Sequence, residues 1–365
     1  MENMENKYEH VYREIKDKII AGEFDINDKL MTESELMVAY SVSRYTIRRA
    51  IGDLESAGYV YRIQGGGIFV NDWHTGKKIT QNNNKMIGVV TTHIADYIFP
   101  NIITGIDRVI SEEGYTIILS NTLDTPDRER TSLLKMLEMD LSGLIIEPTQ
   151  SALVNKNKDL YEKILELKIP TLFINAHYED IDIPYLELND FNGSELETEH
   201  LIKNGHEKIL GVFKVDDKQG LLRMNGFVQA YMEHANSSYQ SEILMYRSTD
   251  PLQNIYQKIE KILHRSDRPT AIVCYNDQLA IKLMDIVKSM DMEIPEDVSI
   301  VGFDDYQLSK YMSPKLTTIR HPKEKMGRQA AKMLLEMIRG KNTKIQSVVY
   351  EAKLVSRESV KNRNK

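Results

Sequence analysis

The chain has 365 residues, 41% of them hydrophobic and 28% charged, with a formal net charge of −7 and one cysteine, Cys274. That length predicts two or three domains, each able to bury its own core, and a lone cysteine excludes an internal disulfide and fits a reducing compartment. No run is apolar enough to span a bilayer, and the polar N-terminus lacks the apolar core of a signal peptide, so the expected setting is cytoplasmic, with no membrane partner.

Lys7 to Ala21 reads as the first helix: Tyr8, Val11, Tyr12, Ile15 and Ile19 keep a 3.6-residue period, and Gly22 ends it. Thr32-Glu33-Ser34-Glu35 has the spacing of a capping box and opens a second helix carrying Leu36, Met37 and Ala39. A turn at Tyr40-Ser41-Val42 leads to a third helix, with Ser43 placed as its N-cap. On it, Ile47, Ala50, Ile51 and Leu54 form an apolar stripe, while Arg44, Tyr45, Arg48 and Arg49 occupy other faces. A helix with a packed back and a cationic front suits the DNA major groove, where arginine forks onto guanine or holds phosphates. Next come two short strands, Tyr59–Ile63 and Ile68–Val70, closed by Gly65-Gly66-Gly67. These glycines sit strand to strand, so the expectation is a wing with Arg62 and Gln64 at its tip rather than a phosphate-cradling loop.

Net charge does not support DNA binding here. Residues 1–72 hold nine Lys/Arg and thirteen Asp/Glu, 9 − 13 = −4. Taken alone, an amphipathic helix with three arginines reads as a solvated surface helix. The ordered succession of helix, turn, helix and wing is what points to DNA. Residues 7–71 resemble the winged helix-turn-helix of GntR-type transcription regulators, through Lys29 to Leu36, Val42 to Ala50, Leu54, Gly58 and Gln64 to Val70. That family usually has proline where Met31 stands. The reading gives residues 1–71 as the DNA-binding domain, with Lys7, Arg44, Tyr45, Thr46, Arg48, Arg49, Gln64, Gly65 and Gly66 as its DNA contacts. Lys7 fits a phosphate contact and plain solvation equally well.

Residues 72–85 contain almost nothing to bury and read as a polar linker; whether Trp73 packs back on the wing stays open. From Met86 the rhythm changes. Strand-like runs Ile87–Val90, Thr116–Leu119, Leu144–Ile146, Thr171–Ile174, Ile209–Phe213, Glu242–Tyr246, Ala271–Cys274 and Ser299–Phe303 alternate with helical stretches such as Asn101–Glu113, Pro126–Leu141, Phe191–Asn204 and Asp277–Met290. This βαβ repetition predicts doubly wound parallel sheets covered by helices, in two lobes, with a ligand crevice beyond the carboxyl ends of the strands. Just past those ends stand Tyr97 and Phe99, Glu147 and Thr149, Asn175 and His177, Asp216, Asp217 and Arg223, Asn276 and Asp277, and Asp304 and Asp305. One aspartate at a strand end is commonly a helix cap. Recurrence at six ends, with aromatic rings among them, suits a small sugar or polyol.

Residues 86–365 resemble the LacI-type effector domain, itself similar to periplasmic sugar-binding proteins. The carrying residues are Gly205 to Ile209, Arg223 to Phe227, Pro269 to Ile272 with Asn276-Asp277, Ile294 to Asp305, and Leu316 to Ile319 with Pro322. The resemblance implies that Arg223, Asn276 and Asp304 line the cleft, that His206 is structural, and that the sensor dimerises through its lobes. The effector-binding set is read as Tyr97, Phe99, Glu147, His177, Arg223, Asn276, Asp304 and Asp305. LacI-type proteins normally carry a different head and a hinge helix, so how the signal crosses this polar linker is left open. A GntR-type head on a LacI-type sensor is similar to the arabinose-responsive repressors, with Ile87 to Pro100 and Ile146 to Leu153 as the telling runs. That resemblance, not the residues, implies L-arabinose and release from operator DNA; another sugar or polyol is the alternative.

Two other classes fit the sequence less well. An enzyme is disfavoured: there is no HExxH, CxxC, GxSxG or strand–GxGxxG–helix unit, and His93, His177, His200 and His206 stand singly. No catalytic residue, metal ligand or cofactor is expected. A transport binding protein is disfavoured by the DNA-type head. A homodimer reading two half-sites is expected, since one winged helix buries little on DNA.

Overall fold

A computed structural model describes residues 7–63, 66–73, 85–234, 240–340 and 345–364. The chain divides into two compact units, residues 1–83 and 84–365.

The first unit is three helices and a hairpin: α1 (Lys7–Ile20), α2 (Glu33–Tyr40), α3 (Arg44–Ser56), β1 (Val60–Ile63) and β2 (Gly67–Val70). Gly22, at φ 75°, stops α1 one residue before the expected end. The capping box forms as read. Thr32 N donates to Glu35 Oε2 at 2.7 Å, and Glu35 N donates to Thr32 Oγ1 at 3.3 Å. Ser41 takes the left-handed turn, φ 50°, and Ser43 Oγ caps α3 by accepting from Thr46 N at 3.2 Å. Ile47, Ala50, Ile51 and Leu54 are buried together with Val11, Ile15, Ile19, Val60, Ile68 and Val70, so one core ties helices to wing. Trp73 joins that core's edge, its ring 6.0 Å from Tyr59. At the wing turn Gly67 has φ 124°, open only to glycine. Residues 74–84 of the expected linker, and Gln64 and Gly65 at the tip, lie outside the described residues.

In the second unit the chain runs β3 (Met86–Thr91), α4 (Phe99–Glu112), β4 (Thr116–Asn121), α5 (Pro126–Glu138), β5 (Gly143–Ile146), α6 (Lys158–Glu166), β6 (Thr171–Ile174) and β7 (Tyr185–Leu188). It continues α7 (Asp190–Lys203), β8 (Ile209–Lys214), α8 (Lys218–Glu233), β9 (Glu242–Tyr246), α9 (Leu252–Leu263), β10 (Ala271–Cys274), α10 (Asp277–Ser289) and β11 (Ser299–Asp304). It closes with β12 (Thr317–Arg320), α11 (Lys323–Ile338), β13 (Val348–Tyr350) and β14 (Leu354–Val355). Two six-stranded sheets result, ordered β13-β7-β6-β5-β3-β4 and β14-β12-β11-β10-β8-β9. All pairings are parallel except β12 with β14. Each sheet is buried on both faces. On β3, Ile87 and Val89 enter one core and Val90 another; on β10, Ile272 and Cys274 face one core and Ala271 and Val273 another.

Four strands were absent from the sequence reading: β7, β12, β13 and β14. They matter because the chain changes lobe beside them, after β7, after β12 and between β13 and β14. Helices α4 and α11 pack backbone to backbone in the first lobe, as α7 and α8 do in the second; a Cβ on Gly327 would stand 2.1 Å from Ile102 O, and one on Gly226 2.0 Å from Phe191 O. The crevice lies between the lobes, beyond the carboxyl ends of β3 to β7 and of β8 to β12.

Candidate functional site

On the head, α3 presents Arg44, Tyr45 and Arg48 to solvent; Tyr45 is 74% exposed and Arg48's side chain 62%. Arg44 makes no ion pair among the described residues. Arg48 Nε holds Glu33 Oε2 at 3.0 Å, and Arg62 of the wing approaches the same carboxylate at 3.8 Å and Glu55 at 3.5 Å. Glu33, at the start of α2, is therefore a counter-charge that reading α3 by itself did not include. Arg49 is exposed as well, with its guanidinium stacked 3.8 Å over the Tyr8 ring of α1. Thr46's hydroxyl lies 2.9 Å from Ser43 Oγ within the cap. Lys7 opens α1, exposed, and Gly66 begins the wing's turn into β2.

In the second unit the crevice holds a cavity of about 530 Å³. Its centre is Arg223, on α8 and 5% exposed. Nε donates to Asp190 Oδ1 at 2.8 Å, Nη1 to Tyr275 O at 2.6 Å and Nη2 to Asp304 Oδ1 at 3.3 Å, while the guanidinium lies 3.7 Å over the Phe303 ring. Arg223 is thus locked by partners from three strand ends. Burial pushes the Asp190 carboxyl up to about 7 even beside that arginine. Opposite, Glu147 is buried and also pushed to about 7 by burial, though Oε2 accepts from Thr92 N and Oγ1 and Oε1 accepts from Asn175 Nδ2. Tyr97's hydroxyl lies 2.5 Å from Asp304 Oδ2 and accepts from Asp277 N at 3.1 Å, joining the lobes. Burial, then the Asp304 carboxylate, raises its phenol well above the ordinary range. At the other side of the crevice Asp124 Oδ2 accepts from Lys214 Nζ at 2.7 Å and Ser248 Oγ at 2.5 Å.

Two further features mark this cavity. Tyr97, Asp124, Asn175 and Asp304 line it with φ of 60°, 53°, 63° and 99°, a left-handed backbone that non-glycine residues seldom adopt and that collects at working sites. Asn175 Oδ1, Gln219 Oε1 and His321 Nδ1 are buried without a hydrogen-bond partner among the described residues, and all three side chains line the cavity. Burial holds His321's imidazole down at about 3, so its ring is neutral and offers one donor and one acceptor.

Of the residues read from sequence, Tyr97, Phe99, Glu147, Arg223, Asn276 and Asp304 come together around the cavity. His177 and Asp305 do not. His177 turns to Glu187 and stacks on Tyr185 outside the lining, and Asp305 is drawn away by Arg357 and Arg320. Asp190, Lys214, Gln219, Tyr275 and His321 were missed. Asp190 and His321 follow β7 and β12, strands with no apolar run in the sequence; Lys214 ends β8, two residues before Asp216, and Tyr275 follows β10, next to Asn276.

His206 is buried outside the cavity lining, with Nδ1 2.9 Å from Thr270 Oγ1 and Nε2 3.1 Å from Lys361 O; burial lowers it to about 4. Among the described residues no group of His, Cys, Asp or Glu has the arrangement to hold a metal ion, and no helix is long and apolar enough to cross a membrane.

Comparison with known proteins matches residues 7–70 to the model for bacterial regulatory proteins of the gntR family, and residues 198–360 to that for a periplasmic binding protein-like domain. The chain is similar to the arabinose metabolism transcriptional repressor of Geobacillus stearothermophilus, 41% identical over 358 residues, covering 97% of this chain and 98% of that one. It is 40% identical to the repressor of the same description in Halalkalibacterium halodurans, covering 98% and 97%. Among solved structures it resembles a LacI family transcriptional regulator of Enterococcus faecium with bound ribose, at a TM-score of 0.66 and 25% identity, covering 76% of this chain and 99% of that one.

Proposed function

We propose, for a chain that belongs to the family of arabinose metabolism transcriptional repressors, that the cavity of its second unit takes L-arabinose and that filling it frees the head from operator DNA. The protein is a DNA-binding transcriptional repressor, a non-catalytic role, with a GntR-type head and a sugar-responsive LacI-like unit.

The ligand reading rests above all on the three unpartnered buried polar atoms of Asn175, Gln219 and His321 around the cavity. A buried polar atom without a partner costs about 1–3 kcal/mol, so the site gains when hydroxyl groups arrive to match them. Charge narrows the class further. Asp96, Asp124, Glu147, Asp190, Asp217 and Asp304 face Lys214, Arg223 and Arg247, and both Lys214 and Arg223 are already engaged by carboxylates. An excess of acids disfavours an anionic ligand and suits a neutral polyol, with Tyr97, Phe99 and Tyr275 as aromatic walls.

Tyr97, Phe99, Glu147, Arg223, Asn276 and Asp304 are the effector contacts in this reading, with Gln219 and His321 added. Lys7, Arg44, Tyr45, Thr46, Arg48, Arg49 and the wing are the DNA contacts. The working form is a homodimer reading two half-sites of operator DNA in the cytoplasm. The sugar acts through unequal affinity for DNA-competent and DNA-incompetent states. Calorimetry with L-arabinose, D-ribose and D-xylose, followed by gel shift on an operator fragment, tests the reading. L-Arabinose should bind most tightly and release the DNA. Release by another sugar alone would keep the architecture and replace the ligand; unchanged DNA binding at saturating L-arabinose would defeat the proposal.

A further inference from the structure

The Asp304 carboxylate in the cavity stands on a strained stretch of backbone. Asp304, the last residue of β11, has φ 99° and Asp305 after it φ 47°, two successive non-glycine residues in the left-handed region. Such a turn persists only where its surroundings over-determine it. From this turn the Asp304 carboxylate meets two partners, Arg223 Nη2 at 3.3 Å through Oδ1 and the Tyr97 hydroxyl at 2.5 Å through Oδ2. Part of the hold on the turn comes from within the second lobe. Asp305 N donates to Thr318 Oγ1 at 3.2 Å, Tyr306 N donates to Asp277 Oδ2 at 2.6 Å, and Arg357 and Arg320 take the Asp305 carboxylate. A further hold comes from Lys323, the first residue of α11 in the first lobe. Its Nζ donates to Asp304 O and, at 2.9 Å, to Asp305 O. Lys323 is 9% exposed and lies outside the cavity lining.

We propose that Lys323 is a positioning residue of the sensor site: from the first lobe it holds the Asp304-Asp305 turn of the second, so that the Asp304 carboxylate meets Arg223 and the sugar. A lysine ammonium is a compact donor of three hydrogens on a long stem, suited to reach two carbonyls at once. Burying it costs free energy unless partners meet it. Here the partners are the carbonyls of the two strained residues, and Lys323 makes no ion pair among the described residues. Its donors are spent on backbone conformation rather than on a counter-charge. The hold crosses from lobe to lobe, since α11 packs on α4 at Gly327 and Ile102 while β11 lies in the second sheet. Without the ammonium both carbonyls lose a donor, and the turn can relax toward ordinary backbone and carry the carboxylate off Arg223. Lys323 itself need not touch the ligand.

The inference rests on the cavity being the sugar site, and the full-length protein tests the two parts separately. A crystal structure of sugar-free Lys323→Met reads the turn itself. Asp304 should leave its φ of 99° and its carboxylate should part from Arg223; an unchanged turn with that contact intact would overturn the proposal. Calorimetry with L-arabinose reads the site. Absence of binding by the wild type overturns the ligand reading and leaves the crystal structure to decide on Lys323. Where the wild type binds, Lys323→Met should lose affinity by about fivefold to a hundredfold, the range for leaving a buried polar group unmatched. Lys323→Arg, with donors for both carbonyls, should recover most of that loss. Operator affinity without sugar should be the same in all three proteins. Equal losses in the two variants, with equally lowered melting, would mark Lys323 as a packing residue and overturn the proposal, as would full sugar affinity in Lys323→Met. Should Lys323→Met not fold, Lys323→Gln, polar and neutral, takes its place in both measurements.

Discussion

At the scale of the residue, the structure separates arginines that look alike in sequence. Arg44 and Arg48 lie one turn apart on the solvent face of α3, whereas Arg49 stacks on Tyr8. The ion pair of Arg48 with Glu33 is exposed and worth little, about 0–1 kcal/mol, so a base edge or phosphate readily displaces it. Arg48→Ala is expected to cost operator binding about 1–3 kcal/mol if the guanidinium forks onto a base. If it meets phosphate alone, the loss should be uniform across sequences and the salt slope should fall by about one. Gel shifts on operator and scrambled DNA at several salt concentrations separate the two. Arg223→Ala should bind operator as the wild type does and fail to release it, because Asp190 and Asp304 lose their cation and the cavity its central donor. Operator affinity with and without saturating L-arabinose decides; release at the wild-type sugar concentration would remove Arg223 from the site.

Glu147 supplies a prediction with a sign. Burial lifts its carboxyl from about 4.3 in an unfolded chain to about 7. The folded protein holds this proton more tightly than the unfolded chain, so the contribution to stability is fully present below about pH 4.3 and is lost as pH rises through about 7. Glutamine never ionises, and Asn175 can rotate its unpartnered Oδ1 to accept from the new amide. Glu147→Gln should therefore be more stable than the wild type at pH 8, by on the order of 1–3 kcal/mol, and equal to it near pH 4. Thermal melts at both pH values check this; the same difference at each would exclude ionisation as the cause.

At the scale of the element, legibility followed the run of apolar side chains rather than burial, since β7 is as buried as the strands that were read. β3, β5, β6, β8, β10 and β11 are buried on both faces and read as unbroken apolar runs. The missed strands lack that mark: β7 carries Glu187, β12 is Thr-Thr-Ile-Arg, and β13 and β14 span three and two residues. The cost appeared in the cavity, where Asp190 and His321 stand just past two of them. Head residues were legible because capping box, turn and apolar stripe agree locally; Glu33's approach to Arg48 spans two helices and has no local signal. Helix contacts were equally hidden. Gly226→Ala would drive a Cβ to 2.0 Å from Phe191 O and should destabilise by about 1–3 kcal/mol or more as α7 and α8 separate. Gly52→Ala in α3 meets nothing within 4 Å and should stabilise by about 0.5–1 kcal/mol. Urea unfolding of the two variants checks the pair; a neutral Gly226→Ala would mean that the helices slide freely.

At the scale of the whole molecule, the three crossings between lobes leave neither lobe contiguous in sequence. The pairing of β13 with β7 brings Val348 to Leu186 across 348 − 186 = 162 residues. A chain cut after residue 345 keeps the head but leaves β7 an open sheet edge, and β12 loses β14. Such a protein should retain the far-ultraviolet signal of the head and lose cooperative melting and sugar binding in the second unit. For the ribosome the same crossing is a matter of time. At about 5–20 residues per second, roughly 8–30 s pass between emergence of Leu186 and emergence of its partner strand. The head is complete early in synthesis and free to find DNA, while the part that answers to sugar waits for nearly the last residues. A newborn chain passes through an interval in which its head has all its strands and helices while β7 still waits for the strand that covers its edge.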